Sequence, residues 1–177
     1  MSKVILYVAT SLDGYIATSD GDLGWLNEYL GDSIDYGFHE FLDSTDLNVM
    51  GANTYRQIRE LDAKWPYTTK TYVASSSVLD APEGADIEFI DKSPSELVDQ
   101  AREHSAKNIW LIGGAKLAQS FLADGLIDEL MLTVMPLALG DGIKLFDKTN
   151  ERTRVRLVKL DTYDSGAYQV HYSVVVP

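Results

Sequence analysis

No cysteine occurs in this 177-residue chain, so neither a disulfide framework nor thiolate chemistry is open to it. Histidine is nearly as scarce. His39, His104 and His171 are scattered, with no clustered acids at ligand spacing, so no metal site is expected. Positive charge is short as well: 15 Lys and Arg stand against 27 Asp and Glu, a net charge of −12, and a nucleic-acid surface needs the opposite balance. No apolar run approaches the ~20 residues of a membrane span. The opening Met1-Ser2-Lys3-Val4-Ile5 leads into a run too short and too quickly polar for a secretory signal, and a cytoplasmic location is the expectation. Linker-like stretches and internal repeats are missing too. The length fits one domain, residues 1–177, with a substantial core.

What is present alternates strand and helix language. Short β-rich runs are read at 3–9, 47–50, 71–74, 87–90 and 108–112. Helices are read at 33–42, 54–61 and 116–122 from apolar spacing. A further helix opens at Ser93-Pro94-Ser95-Glu96, with Ser93 as N-cap, Pro94 in the first turn and Glu96 three residues on. Residues 18–33 form an irregular loop that carries Trp25. After Gly125 only strands follow, at 129–134, 155–162 and 168–176. The order predicts a three-layer, doubly wound α/β domain: a mixed sheet of about eight strands whose C-terminal strands run antiparallel. Arg152, Arg154 and Arg156 alternate with Thr153 and Val155, which places them on one solvated strand face.

Two strand ends share a chemistry. Gly51-Ala52-Asn53-Thr54 and Gly113-Gly114-Ala115-Lys116 each follow an apolar run and open a helix. Glycine lets a backbone approach a ligand closely, and a helix start offers free N–H groups beside a positive dipole end, a place for phosphate. Each elbow alone is equally well a tight turn, with Thr54 a helix cap. A third strand end, at Ser75 and Ser76, carries small hydrogen-bonding residues as well. Together the three predict a dinucleotide across the carboxyl ends of the strands.

Asp35 is the carboxylate to single out, at a helix start among Ile34, Tyr36 and Phe38. An apolar setting would raise its pKa and let it relay a proton; the plainer alternative is a first-turn Asp favoured by the helix dipole. His39, one turn on, shares its face. Asp13 is read as a turn residue before Gly14.

These residues resemble the dihydrofolate reductase-like family, and within it the reductase domain of bacterial riboflavin biosynthesis. The resemblance rests on residues 11–17 (Ser-Leu-Asp-Gly-Tyr-Ile-Ala), 49–55 (Val-Met-Gly-Ala-Asn-Thr-Tyr), 110–115 (Trp-Leu-Ile-Gly-Gly-Ala), 128–130 (Asp-Glu-Leu) and 136–142 (Pro-Leu-Ala-Leu-Gly-Asp-Gly). It implies NADPH, with NADH as the alternative, and a heterocyclic substrate of pterin or pyrimidine type. Gly51, Asn53, Thr54, Gly113, Gly114, Ala115 and Lys116 would hold the cofactor phosphates, Ser75 and Ser76 the adenosine end, and Ala9, Ile16 and Ala17 the nicotinamide. Asp35 would be the substrate-anchoring acid, supported by Thr133 through a hydrogen-bonded link. Trp25 and Phe38, with Ile16, would wall the substrate. Relatives of the riboflavin type pair, which implies a homodimer. The chain departs from the folate enzymes at Ala52, Thr69 and Ala118, where they carry arginine, arginine and tyrosine; Arg56 or Arg59 could replace the first. It departs from the riboflavin reductases at Tyr15, where they carry lysine. A protein that keeps the fold as a non-catalytic nucleotide- or ligand-binding module is the competing expectation.

Overall fold

The computed structural model describes residues 1–30, 34–61, 64–147 and 152–175. Its first strand, β1 (Val4–Thr10), is buried on both sides, with Val4 and Leu6 turned to one layer and Ile5 to the other. A strand apolar on both faces belongs inside a parallel sheet. Accordingly β1 lies between β6 (Asn108–Gly113) and β7 (Glu129–Val134), parallel to both. Beyond β6 come β3 (Thr45–Gly51), β4 (Lys70–Ala74) and β5 (Ile87–Ile90), again parallel. On the other side β10 (Tyr168–Val175) and β9 (Arg154–Thr162) run antiparallel, so the eight-stranded order is β5-β4-β3-β6-β1-β7-β10-β9. Two short strands outside it, β2 (Tyr15–Ala17) and β8 (Ile143–Lys144), pair antiparallel with each other.

Helices cover both faces. On one, Phe41 of α1 (Phe38–Asp43) packs on Ile5 and Trp110, and Tyr55 of α2 (Ala52–Leu61) packs on Met50 and Val73. On the other, Leu97, Val98 and Ala101 of α3 (Pro94–His104) join Ala118 and Phe121 of α4 (Ala115–Ala123) over Val4, Leu6, Val49 and Leu111. The α3 start is the capping box read from sequence: the Ser93 hydroxyl accepts the Glu96 N–H, and the Glu96 carboxylate accepts the Ser93 N–H.

The predicted three-layer mixed sheet is therefore the observed one. The helix expected at 33–42 is shorter, because Tyr36 (φ 53°) and Gly37 (φ 74°) take left-handed backbone and delay it to Phe38. Ser33 lies outside the described residues, as does Val176 at the end of the last predicted strand. The ribbon β2–β8 was not legible: a pair of two- and three-residue strands leaves no period to detect.

Candidate active site

Because β3 and β6 are adjacent and parallel, their carboxyl ends come out together, with Met50 opposite Gly113 in register. The two glycine elbows are thus side by side. A Cβ built on Gly51 would lie 3.9 Å from the Gly113 carbonyl and 4.0 Å from the Gly114 nitrogen, and one on Gly114 would lie 3.0 Å from Thr54 Oγ1. The Gly113–Gly114 peptide bond is cis. The N-termini of α2 and α4 converge on this point, so free amide donors of both helices face the same space.

That space is a cleft of about 660 Å³, within the range of small-molecule and cofactor sites. Ala9, Ile16 and Ala17 line it, together with Gly51, Asn53 and Thr54 of one elbow and Gly114, Ala115 and Lys116 of the other. Leu23, Leu26 and Ile143 add apolar surface to it. Gln57 of α2 donates to the Gly21 carbonyl, tying that loop to the cleft wall. Ala74 lines the cleft at the end of β4, whereas Ser75 donates its hydroxyl to the Ser77 carbonyl. Gly113 and Ser76 stand beside the lining rather than in it.

The ribbon that carries Ile16, Ala17 and Ile143 is held by Asp13. Its carboxylate accepts the N–H groups of Leu139 (3.0 Å) and Gly140 (2.7 Å) and the Ser11 hydroxyl (2.6 Å). The Ser11 hydroxyl, together with these two amides, lowers its pKa to about 2. The turn residue read from sequence is therefore a clamp between two segments far apart in the chain.

Asp35 corrects its expectation. It lies before α1, exposed, and acts as its capping group: Oδ1 accepts the Gly37 N–H at 3.0 Å, and Oδ2 accepts the His39 N–H at 3.3 Å. Oδ2 also meets His39 Nδ1 at 2.8 Å, so the shared face does hold. The His39 ring first, then those two amides, hold the carboxyl below the usual carboxylate range, not above it. Thr133 is buried, 3% exposed, and its hydroxyl accepts from Gln169 Nε2 at 2.8 Å; no direct bond from Thr133 to Asp35 is among those of the described residues.

Trp25 and Phe38 fall in different apolar clusters. Phe38 stacks on Tyr7 and meets Trp110 edge-on, while Trp25 joins Tyr36, Met135 and Ala167 in a separate apolar cluster. The Trp25 indole N–H is buried with no hydrogen-bond partner among the described residues. Of the residues where the chain departs from its resemblance, Arg56 donates to Asn53 at 3.0 Å, Thr69 accepts from Asn48, and the Lys144 ammonium lies 5.8 Å from the Tyr15 ring. Sequence reasoning missed Tyr7, Leu23, Leu26, Gln57, Ile143 and Gln169. Only their positions in the fold mark them.

Parallel strands fed into helices on both faces, closed by an antiparallel C-terminal pair, put the protein in the dihydrofolate reductase fold class. The Enterococcus faecalis dihydrofolate reductase, complexed with NADP(H) and RAB-propyl, superimposes with a TM-score of 0.66 at 14% identity, over 97% of this chain and 96% of that one. More narrowly, the chain belongs to the RibD C-terminal domain family, which it matches over residues 2–168. It is 34% identical to the uncharacterized protein YwjB of Bacillus subtilis (strain 168), across 96% of this chain and 97% of that one. The crystal structure of a protein from Shewanella sp. PV-4, provisionally named for riboflavin biosynthesis, matches with a TM-score of 0.88 and 29% identity over 98% and 99% of the two chains.

Proposed function

We propose that the protein is a nicotinamide-dependent reductase, using NADPH with NADH as the alternative, that acts on a heterocyclic small molecule of pterin or pyrimidine size. One observation carries this reading: the two glycine elbows and two helix N-termini meet beside an apolar cleft of cofactor size. A methyl on Gly114 would crowd Thr54 Oγ1, so the gap between the elbows is kept free of side chains.

The amides of residues 51–54 and 113–116 would hold the diphosphate, with Thr54 Oγ1 and the Lys116 ammonium beside them. Ala9, Ile16 and Ala17 would pack on the nicotinamide, and Ser75 and Ser76 would face the adenosine end. Arg56 is engaged with Asn53, which leaves Arg59 as the cation of that helix for a 2′-phosphate. When bound, the cofactor supplies the hydride. Asp35, held as a carboxylate, would accept an N–H edge of the substrate, and the proton that the reduced product takes up would come from solvent. Thr133 stands behind Asp35.

A second reading has its own support. Asp35 is already committed to Gly37 and His39, which fits a binding module that has no use for a free carboxylate. Thermal unfolding with NADPH and with NADH comes first, because a ligand of the native state alone stabilises by about 2.7 kcal/mol at a hundredfold excess over Kd. No shift with either nucleotide would sink both the cofactor and the reductase assignment. Nucleotide oxidation at 340 nm with dihydropterins and aminopyrimidines then separates catalysis from binding. Loss of that turnover in Asp35→Asn, with nucleotide affinity kept, is the result expected of the reductase.

We also propose a homodimer and, given the nucleotide pool required, a cytoplasmic location. On β9, Val155, Leu157, Val158 and Leu160 are 41–57% exposed at the open edge of the main sheet. Proteins generally cover such an edge.

A further inference from the structure

The segment that carries Asp35 is held from behind by a buried side chain on the last strand. Gln169 and Thr133 are direct cross-strand partners on β10 and β7. Both are buried, at 5% and 3% exposure. From there Gln169 Nε2 reaches three oxygens: Thr133 Oγ1 at 2.8 Å, the Tyr36 carbonyl at 2.9 Å and Tyr7 Oη at 3.2 Å. Tyr7 Oη in turn donates to the same Tyr36 carbonyl at 3.2 Å. The Tyr36 side chain is fixed as well, its hydroxyl donating to the Tyr29 carbonyl at 3.0 Å and meeting Ser165 Oγ at 3.1 Å.

Tyr36 needs this support. It is the one non-glycine residue at positive φ among those described, and an aromatic residue gains nothing from left-handed backbone. Such a conformation persists only where the surroundings over-determine it, and outliers of this kind gather at functional sites. The turn at Tyr36 and Gly37 directs Asp35 back over its own helix start, where Gly37 and His39 cap it. The Gln169 amide abuts that turn: Oε1 lies 4.0 Å from where Gly37 would carry a Cβ.

We propose that Gln169 is a positioning residue for Asp35. Its carboxamide, braced by Thr133 and Tyr7, pins the Tyr36 carbonyl and so fixes the turn that presents the carboxylate. The support that sequence reasoning gave to Thr133 alone runs instead through Gln169 and the backbone of the next residue. The inference rests on the reductase reading only for its catalytic consequence; the geometric claim stands apart from it.

The test separates the two. Gln169→Met keeps length and apolar volume and removes both donors. Tyr7→Phe keeps the stack on Phe41, at 4.5 Å between centroids, and removes one donor, so it serves if Gln169→Met does not fold. The readout is the carboxyl ¹³C titration of Asp35. His39 on its own helix, and Tyr7 and Tyr163 on the strand side, are the titratable groups that act on it. With the turn released, the Gly37 and His39 amides loosen and the Asp35 midpoint moves up toward the ordinary carboxylate value, more in Gln169→Met than in Tyr7→Phe. An unchanged midpoint in a folded Gln169→Met protein overturns the positioning role. Where the midpoint moves, a kcat lowered about tenfold with nucleotide KM unchanged carries the effect into catalysis, the size of one net hydrogen bond. A moved midpoint with unchanged kcat keeps the positioning role and removes Asp35 from the reaction.

Discussion

Thr54 Oγ1 stands 3.0 Å from the point where Gly114 would carry a Cβ. The two residues belong to different helix starts, and their approach is close enough that a single methyl would make the Thr54 side chain give by a few tenths of an ångström. Gly114→Ala is therefore expected to weaken NADPH binding by roughly tenfold, the affinity equivalent of a mild overpacking cost. The fold should stay intact, since the side chain that must yield is short and lies at the cleft. Calorimetric titration against the parent measures it; equal affinities would mean that the elbow gap is not where the nucleotide sits.

Gly142 makes a different contact. It holds φ 148°, and a methyl there would overlap the Ala17 carbonyl oxygen across the β2–β8 ribbon. Backbone cannot yield as a side chain tip can. Gly142→Ala is expected to cost on the order of 3 kcal/mol of stability, combining overpacking with conformational strain. Urea unfolding gives the figure, and a loss below about 1 kcal/mol would show the ribbon to be dispensable.

Asp13 gives the molecule an acid dependence. Its folded-state pKa, about 2, lies below the unfolded value, so its stabilising effect is complete above the ordinary carboxylate range and is lost as pH falls through about 2. Asp13→Ala should melt several degrees lower than the parent at pH 7, with the gap closing toward pH 2. Parallel melting curves at all pH values would mean that the amides of Leu139 and Gly140 do not depend on the carboxylate.

The exposed β9 face carries the dimer proposal. Leu157→Arg, at a residue 52% exposed, should leave the monomer fold unchanged and shift the mass measured by light scattering from two chains to one. A parent that already runs as one chain ends the proposal.

Much of the architecture was legible because its signals are local. Capping chemistry at Ser93, glycine at strand ends and doubly apolar strands each point to one structure, and the sheet follows from their order. The wall of the cleft was legible for the same reason at Gly51, Thr54 and Gly114. What stayed hidden depends on distant partners. Gln169 reads as one polar residue on a weakly alternating strand, and only pairing with Thr133 and proximity to Tyr36 give it meaning. Asp35 was singled out, yet its environment was misjudged, because the left-handed pair that follows it turns the carboxylate onto its own helix. Trp25 and Phe38 are apolar in the sequence and half-buried in separate clusters in the fold.

The place of β1 has a consequence for how the chain comes off the ribosome. Val4 pairs with Ile109 on one side, and Ile5 pairs with Glu129 on the other. β1 therefore has no neighbour until β6 and β7, more than a hundred residues further on, have been translated. A nascent chain stalled between β1 and β6 holds an apolar segment with nowhere to dock, which makes it a natural client for chaperones, and the cleft lacks a wall until Ile143 has been made.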